Sequence, residues 1–431
     1  MHLPPLASFA VPAVLTLVSF LAYSSQYLFT RIEPQPLNAR QLLIFNSLVA
    51  CLLICYGRAC WTDPGRFPPD ANYDDANTTD SQPRWCRKCL AVKPPRSHHC
   101  KVCKRCIPKM DHHCPWTANC VSHITFPHFL RFLFFSVAAM SYLEFLLYER
   151  GSILWTNRHL PSYLGPSAAE LVHLFILIMT NSLTLFALTI LMVRSIWCLA
   201  VNTTTIEGWE IERHETLLRR SRVFGGYLDG PDGLKVRIRR QEFPYDIGIW
   251  QNLRQGMGTW NILAWFWPFS RSPTIASGMS FETNGFEEPN VSWPPPDPDR
   301  MPRITRNYSH QGAFIHDNHA TGSEQIEAFR ARQAKDMKRF RSPTRPIQRR
   351  KPFAKRFDPV DSIPVPDQYY DDDEAEVTEP GEEAWTNAEG ERLADFGVDE
   401  DADFYDEIYK EDPEDDVPLA ELVKRKKLHS S

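Results

Sequence analysis

The sequence predicts an all-α polytopic membrane protein with four transmembrane helices, a cytosolic zinc-binding cysteine-rich domain and a disordered C-terminal tail. Three features of the 431 residues lead there. Asp, Glu, Lys and Arg are absent from residues 1–30, 41–57 and 171–193. Seven of the eleven cysteines crowd into residues 86–120, together with four histidines. Residues 371–416 hold 22 acidic side chains against two basic ones, Arg392 and Lys410, although the whole chain is only −5. This segregation excludes a single soluble globule, and the apolar runs exclude a fully disordered chain. The chain then divides into 1–61 (helices one and two), 62–125 (the cysteine-rich domain), 126–199 (helices three and four), 200–270 (a cytosolic region) and 271–431 (the tail).

A span takes about 20 mostly apolar residues, at 1.5 Å rise each across roughly 30 Å of hydrocarbon. Residues 9–29, 41–61, 126–148 and 171–193 meet this requirement. In the third, Arg131 is expected to reach back toward the cysteine-rich side, and Glu144 toward headgroups or a neighbouring helix. Basic residues set the orientation. Nine lie between Arg84 and Lys109 with no acidic residue among them, and five more between Arg194 and Arg222. The other two loops offer only Arg31 with Arg40, and Arg150 with Arg158. The cysteine-rich loop and both termini therefore face the cytosol.

The cluster reads Cys86-x2-Cys89, His98-His99-Cys100-x2-Cys103-x2-Cys106, Asp111-His112-His113-Cys114 and Cys120. A reducing cytosol disfavours disulfides, and a redox relay needs fewer thiols. Thiolates and imidazoles at two-residue spacing suit tetrahedral zinc, and a loop this poor in apolar periodicity needs metal to fold. Two four-ligand sites use eight of the twelve candidate side chains. A nucleophile must keep its thiol off the metal, and Asp-His close to a cysteine supplies a base and its orienting carboxylate. Asp111, His112 and Cys114 stand out on that ground, with His98 as a surplus residue. Spacing leaves open the alternative that these residues fill a third, irregular zinc site.

The run Asp111-His112-His113-Cys114-Pro115-Trp116 resembles the signature of the DHHC protein S-acyltransferases (palmitoyltransferases). Lys93-Pro94-x-Arg96, Asn119-Cys120 and Phe129 fall at that family's spacing, as do the cysteines. Asp63-Pro64-Gly65 is similar to its DPG motif, Thr204-Thr205-Ile206-Glu207 to its TTxE motif, and Asn252 with Gly258 to its short C-terminal motif. The resemblance covers about residues 1–270. Ser122 and Thr125 stand where the family usually has Gly and Asn, which bears on loop packing rather than chemistry. The runs at 243–246 and 265–268 resemble a fungal subgroup resident in the endoplasmic reticulum.

The resemblance implies two interleaved structural Zn2+ sites, one of Cys86, Cys89, His99 and Cys106, the other of Cys100, Cys103, His113 and Cys120. It also implies a two-step transfer with palmitoyl-CoA as donor. Cys114 would form the acyl-enzyme, His112 would take its proton, Asp111 would orient His112, and Trp116 would contact the acyl chain. The implied partners are acyl-CoA, membrane-associated client proteins with cytosolic cysteines, and the lipid bilayer, with no nucleic acid. The implied location is the endoplasmic reticulum membrane. Two competing readings are a zinc-stabilised membrane scaffold or cargo receptor, and a membrane ubiquitin ligase of cross-brace zinc type. The ligase reading gives no reason for a spare Asp-His-x-Cys beside the bilayer, and a hydroxylamine-labile acyl label would separate the enzyme from both.

In the tail, Arg330–Arg356 contains twelve basic residues and one acidic one, and the acidic run follows. Neither block can bury a core, so both are expected to be solvated. All motif matches lie within about residues 1–270, so the sequence predicts that residues 280–431 are dispensable for autoacylation.

Overall fold

The computed structural model describes residues 9–67, 84–159, 161, 165–230, 235–285, 293–301, 330 and 385–404. The chain forms two compact units, Met1–Pro302 with Pro380–Ser431, and Arg303–Glu379. Of the second unit only Arg330 is described, and the architecture below is that of the first.

Among the described residues, four helices are long and apolar enough to cross a bilayer: α1 (Ala10–Phe29), α2 (Ala39–Trp61), α3 (Phe126–Thr156) and α4 (Ala168–Ala200). They coincide with the four expected spans, and α3 and α4 extend beyond them. Asn38 with Gln41 and Ser167 with Glu170 form capping boxes that start α2 and α4. α1 carries a π turn at Phe20–Ser24. α3 is central, packed against α2 on one side and α4 on the other. α4 keeps Phe175, Met179, Leu183, Phe186, Ile190, Val193 and Trp197 exposed. These recur every three or four residues, which makes one continuous apolar stripe suited to lipid.

Two apolar cores fill the bundle. One gathers Phe29, Phe45, Leu143, Leu147 and Leu177; the other gathers Leu52, Tyr56, Phe129, Phe132 and Leu133, and includes Cys114 and Val121 of the cysteine-rich loop. Two charged residues of α3, Glu144 and Arg131, find partners within the protein. The carboxylate of Glu144 accepts from Asn181 Nδ2 (2.6 Å) and Ser182 Oγ (2.9 Å), so it meets a neighbouring helix. The buried Arg131 donates to the carbonyls of Trp265 (2.8 Å) and Ala264 (3.3 Å).

The cysteine-rich loop is three short hairpins. β1 (Arg84–Cys86) pairs with β2 (Ala91–Lys93), β3 (His98–Cys100) with β4 (Arg105–Ile107), and β5 (His112–Cys114) with β6 (Asn119–Val121), all antiparallel. After α4 comes α5 (Thr205–Ser221), capped by Thr204 with Glu207, then a small hairpin, β7 (Tyr227–Asp229) with β8 (Lys235–Arg237). α6 (Ile249–Met257) and α7 (Ile262–Phe266) follow.

The tail departs from the expectation of disorder at residues 385–404. A two-residue strand, β9 (Asp403–Phe404), extends the first hairpin by pairing with β1. Leu393, Phe396, Val398 and Ala402 are buried against the cysteine-rich loop. These apolar side chains, spaced among acidic ones, can leave water while the carboxylates of Asp395 and Glu400 stay exposed. Residues 293–301 are also held, with Asp297 Oδ2 accepting from Arg213 Nε at 2.8 Å. The rest of the basic block and most of the acidic run lie outside the described residues.

Candidate active site

The β5–β6 hairpin carries the signature. Its register pairs His112 with Val121, His113 with Cys120 and Cys114 with Asn119. Successive strand residues point to opposite faces, so His112 and Cys114 share a face while His113 takes the other. The two adjacent histidines are thereby committed to different surroundings. Asn119 ties this hairpin to the end of α2, its Nδ2 donating to the carbonyls of Ala59 (3.0 Å) and Thr62 (2.8 Å). The phenol of Tyr56 donates to Trp116 O at 2.7 Å. Ser122 and Thr125 pack the following turn well: Ser122 Oγ donates to Pro64 O (2.9 Å) and Thr125 Oγ1 to Cys120 O (2.6 Å).

On the first face, His112 Nδ1 donates to Asp111 Oδ2 at 2.8 Å, which leaves Nε2 for the thiol. Asp111 Oδ1 accepts from the Thr205 amide at 2.6 Å, and the Asp111 carbonyl from Thr205 Oγ1 at 2.6 Å. The ring of Phe129 meets His112 edge-on, with centroids 6.0 Å apart. Burial disfavours charge on His112, but its hydrogen bonds to Asp111 and Cys114 outweigh this and raise its pKa to about 10. Burial likewise raises Cys114, yet the hydrogen bond and charge of His112, followed by Thr117, bring it below the ordinary thiol value. Asp111 is also held low: burial opposes ionisation, and His112 and Thr205 more than compensate. The arrangement favours an imidazolium–thiolate pair.

Cys114, His112 and Trp116 open on a cavity of about 650 Å³ between the helices. Its walls run from this hairpin to Leu21, Phe45 and Leu143 in the other core, and are overwhelmingly apolar. Trp116 lines it while remaining 59% exposed. A thiolate at the polar end of a long apolar cavity suits attack on a lipidic acyl group.

The opposite faces build two clusters: Cys86, Cys89, His99 and Cys106, and Cys100, Cys103, His113 and Cys120. His99 Nδ1 lies 3.4, 3.3 and 3.8 Å from the sulfurs of Cys86, Cys89 and Cys106. His113 Nδ1 lies 3.7, 3.6 and 3.5 Å from those of Cys100, Cys103 and Cys120. Those separations are the edges of a tetrahedron with metal–ligand bonds of about 2.0–2.3 Å. Each cluster can hold one metal ion. Asp111, His112, Cys114 and His98 stand outside both.

Behind the site, Arg96 and Glu207 form a buried bidentate pair at 2.6 and 2.7 Å. Glu207 Oε2 also accepts from the Thr204 amide at 2.9 Å. Arg96 lies over the ring of Tyr245 at 4.4 Å. Asn252 Nδ2 donates to the Ala200 carbonyl at 2.7 Å, docking α6 on the end of α4. Arg96, Thr204 with Glu207, and Asn252 thus hold α5 and α6 behind the β5–β6 hairpin. Sequence reasoning gave no role to Thr205, Tyr56 or Phe129; two sat in recognisable motifs, but none of their partners was readable.

Residues 79–212 match the family model of the DHHC palmitoyltransferase. The chain is 52% identical to the Palmitoyltransferase pfa4 of Aspergillus fumigatus, over 98% of this chain and 98% of the relative. It is 53% identical to that of Emericella nidulans, covering 97% and 96% of the two chains. The Palmitoyltransferase PFA4 of Saccharomyces cerevisiae is 36% identical over 68% of this chain and 82% of its own. The chain belongs to the DHHC palmitoyltransferase family.

Proposed function

We propose that this protein S-palmitoyltransferase moves a long-chain acyl group from acyl-CoA to client cysteines through a thioester on Cys114. One observation carries the reading: Cys114 lies outside both metal-capable clusters, beside an Asp111–His112 pair, at the polar end of an apolar cavity. The Cys114 thiolate attacks the thioester carbonyl carbon of palmitoyl-CoA. The carbon–sulfur bond to CoA breaks, and CoA leaves with the proton held by His112. A client thiol then gives its proton to His112 and attacks the acyl-enzyme, and Cys114 departs as thiolate. Asp111 keeps His112 in one tautomer throughout. The alkyl chain lies in the cavity, where each buried CH2 contributes about 0.8 kcal/mol, and Trp116 contacts its first methylenes.

Two structural Zn2+ ions would be held by the two Cys3His clusters and would tie the three hairpins together. The clients are membrane-associated proteins with cytosolic cysteines, the termini are cytosolic, and the membrane is that of the endoplasmic reticulum. The purified protein, incubated with palmitoyl-CoA, should gain one hydroxylamine-labile acyl group on Cys114 and none in Cys114→Ser. An adduct mapped to another cysteine would overturn the assignment.

A further inference from the structure

We propose that residues 385–404 are a positioning element of the active centre, fixing from behind the strand that carries His112 and Cys114. The segment runs along the cysteine-rich loop as an added edge. The Lys101 amide donates to Gly397 O (3.0 Å), the Asp399 amide to His99 O (2.9 Å) and the Arg87 amide to Ala402 O (3.0 Å). Val398 bridges Cys100, and β9 pairs with β1. These bonds reach both metal-capable clusters. The segment is also tied to α5: Trp209 Nε1 donates to Glu391 O at 3.2 Å, and the Trp385 ring meets Trp209 edge-on at 4.9 Å.

Gly397 is the point of action. A Cβ there would lie 2.7 Å from His113 Cβ, and its φ of +82° suits glycine. The backbone at Gly397 therefore rests directly on the residue between His112 and Cys114. Phe396 is buried against Cys100, Cys120 and Trp209, and also lines the reaction cavity together with His112 and Arg194. One short segment thus limits both how the strand can shift and how wide the cavity opens beside it. Such control matters because a displacement of about 1 Å at a reacting group can cost on the order of a hundredfold in rate. An acidic tail segment far along the sequence becomes part of the enzyme's working surface.

The inference rests on Cys114 and His112 as proposed above, and its test separates the two. In the full-length protein, hydrogen–deuterium exchange should show the Asp399 amide protected. Phe396→Ser should free that amide and slow single-turnover acylation at saturating palmitoyl-CoA by roughly ten- to a hundredfold. Phe396→Leu, which restores the apolar contact, should bring protection and rate back together. An Asp399 amide exchanging like free chain in the wild type would overturn the proposal without any variant. So would a wild-type rate in a Phe396→Ser protein whose Asp399 amide is free. Acylation of the wild type at a cysteine other than Cys114 would instead overturn the nucleophile assignment.

Discussion

The turn at residues 100–104 and the turn at 114–118 use one backbone design for two different ends. Both follow a His-His-Cys strand, and both have a left-handed residue four positions after its cysteine, Lys104 at φ +53° and Ala118 at φ +49°. The registers also match, with His99 opposite Cys106 and His113 opposite Cys120. In the first turn, the Cys103 amide donates to Cys100 Sγ at 3.3 Å and the Cys103 thiol joins the metal cluster. In the second, Thr117 stands where Cys103 would be, so the knuckle lacks its second thiolate. Its first cysteine, Cys114, is left facing the apolar cavity. The residue before each strand differs too: Ser97 before His98, Asp111 before His112. Burial, with Arg84 and Lys93 nearby, keeps His98 well below the ordinary histidine value, whereas Asp111 and Cys114 raise His112. On the proposed assignment, two substitutions on a hairpin of metal-capable design are enough to describe a nucleophile with its base.

The sharpest way to break this comparison is to exchange the cysteines' fates. Cys114→Ser should abolish the acyl-enzyme and retain both metals, while Cys100→Ser should lose metal and fold together. Structural zinc contributes about 10–16 kcal/mol in small domains. Metal analysis beside intact mass of the acylated protein checks the pair, and metal loss in Cys114→Ser would contradict it.

Next in size is the orienting carboxylate. Asp111→Asn should slow single-turnover acylation by about 10²–10⁴-fold, whereas Ser97→Ala at the matching position should leave the rate within a few-fold. Equal effects would mean that the carboxylate serves the fold alone. Breaking the buried Arg96–Glu207 pair with Glu207→Gln should cost about 3–5 kcal/mol of stability, read by thermal unfolding in detergent. That loss should reach both hairpins, since Arg96 precedes β3 and its carbonyl accepts from the Met110 amide just before β5 at 3.2 Å. The smallest effect belongs to Glu389→Gln. Its 3.1 Å bridge to Arg194 is about half exposed on both sides, so the change should stay within about 1 kcal/mol.

Much of this was legible in the sequence. The candidate spans follow from uncharged length, and the two metal-capable clusters are the sets that the family resemblance implied. The split between His112 and His113 follows once they lie on a strand, since a period of two separates neighbours. Contacts between distant segments were not legible. Arg96 meets Glu207 across 111 positions, and Tyr56 meets Trp116 across 60. Within the tail, residues 385–404 were misread because their net charge outweighed a sparse apolar pattern at Trp385, Leu393, Phe396 and Val398. Composition reports solubility, but the buried Leu393, Phe396, Val398 and Ala402 suffice to dock a short strap. The expectation that residues 280–431 are dispensable therefore narrows: deleting 303–379 should preserve autoacylation, and extending the deletion through Phe404 should impair it.

The central claim is that adjacent histidines do different work, and one paired measurement decides it: zinc content and single-turnover acylation rate of His112→Ala and His113→Ala from pH 6.5 to 9. His112 holds its proton until the pH rises through about 10, and Cys114 stays thiolate until the pH falls through its lowered value. The wild type should therefore hold its rate to a lower pH than a free thiol would. His112→Ala should keep both zinc ions and react slowly, its rate climbing roughly tenfold per pH unit toward the free thiol value of about 8.5. His113→Ala should lose zinc, and no rise in pH should restore it. Zinc loss in His112→Ala with retention in His113→Ala would reverse the two roles and contradict the account.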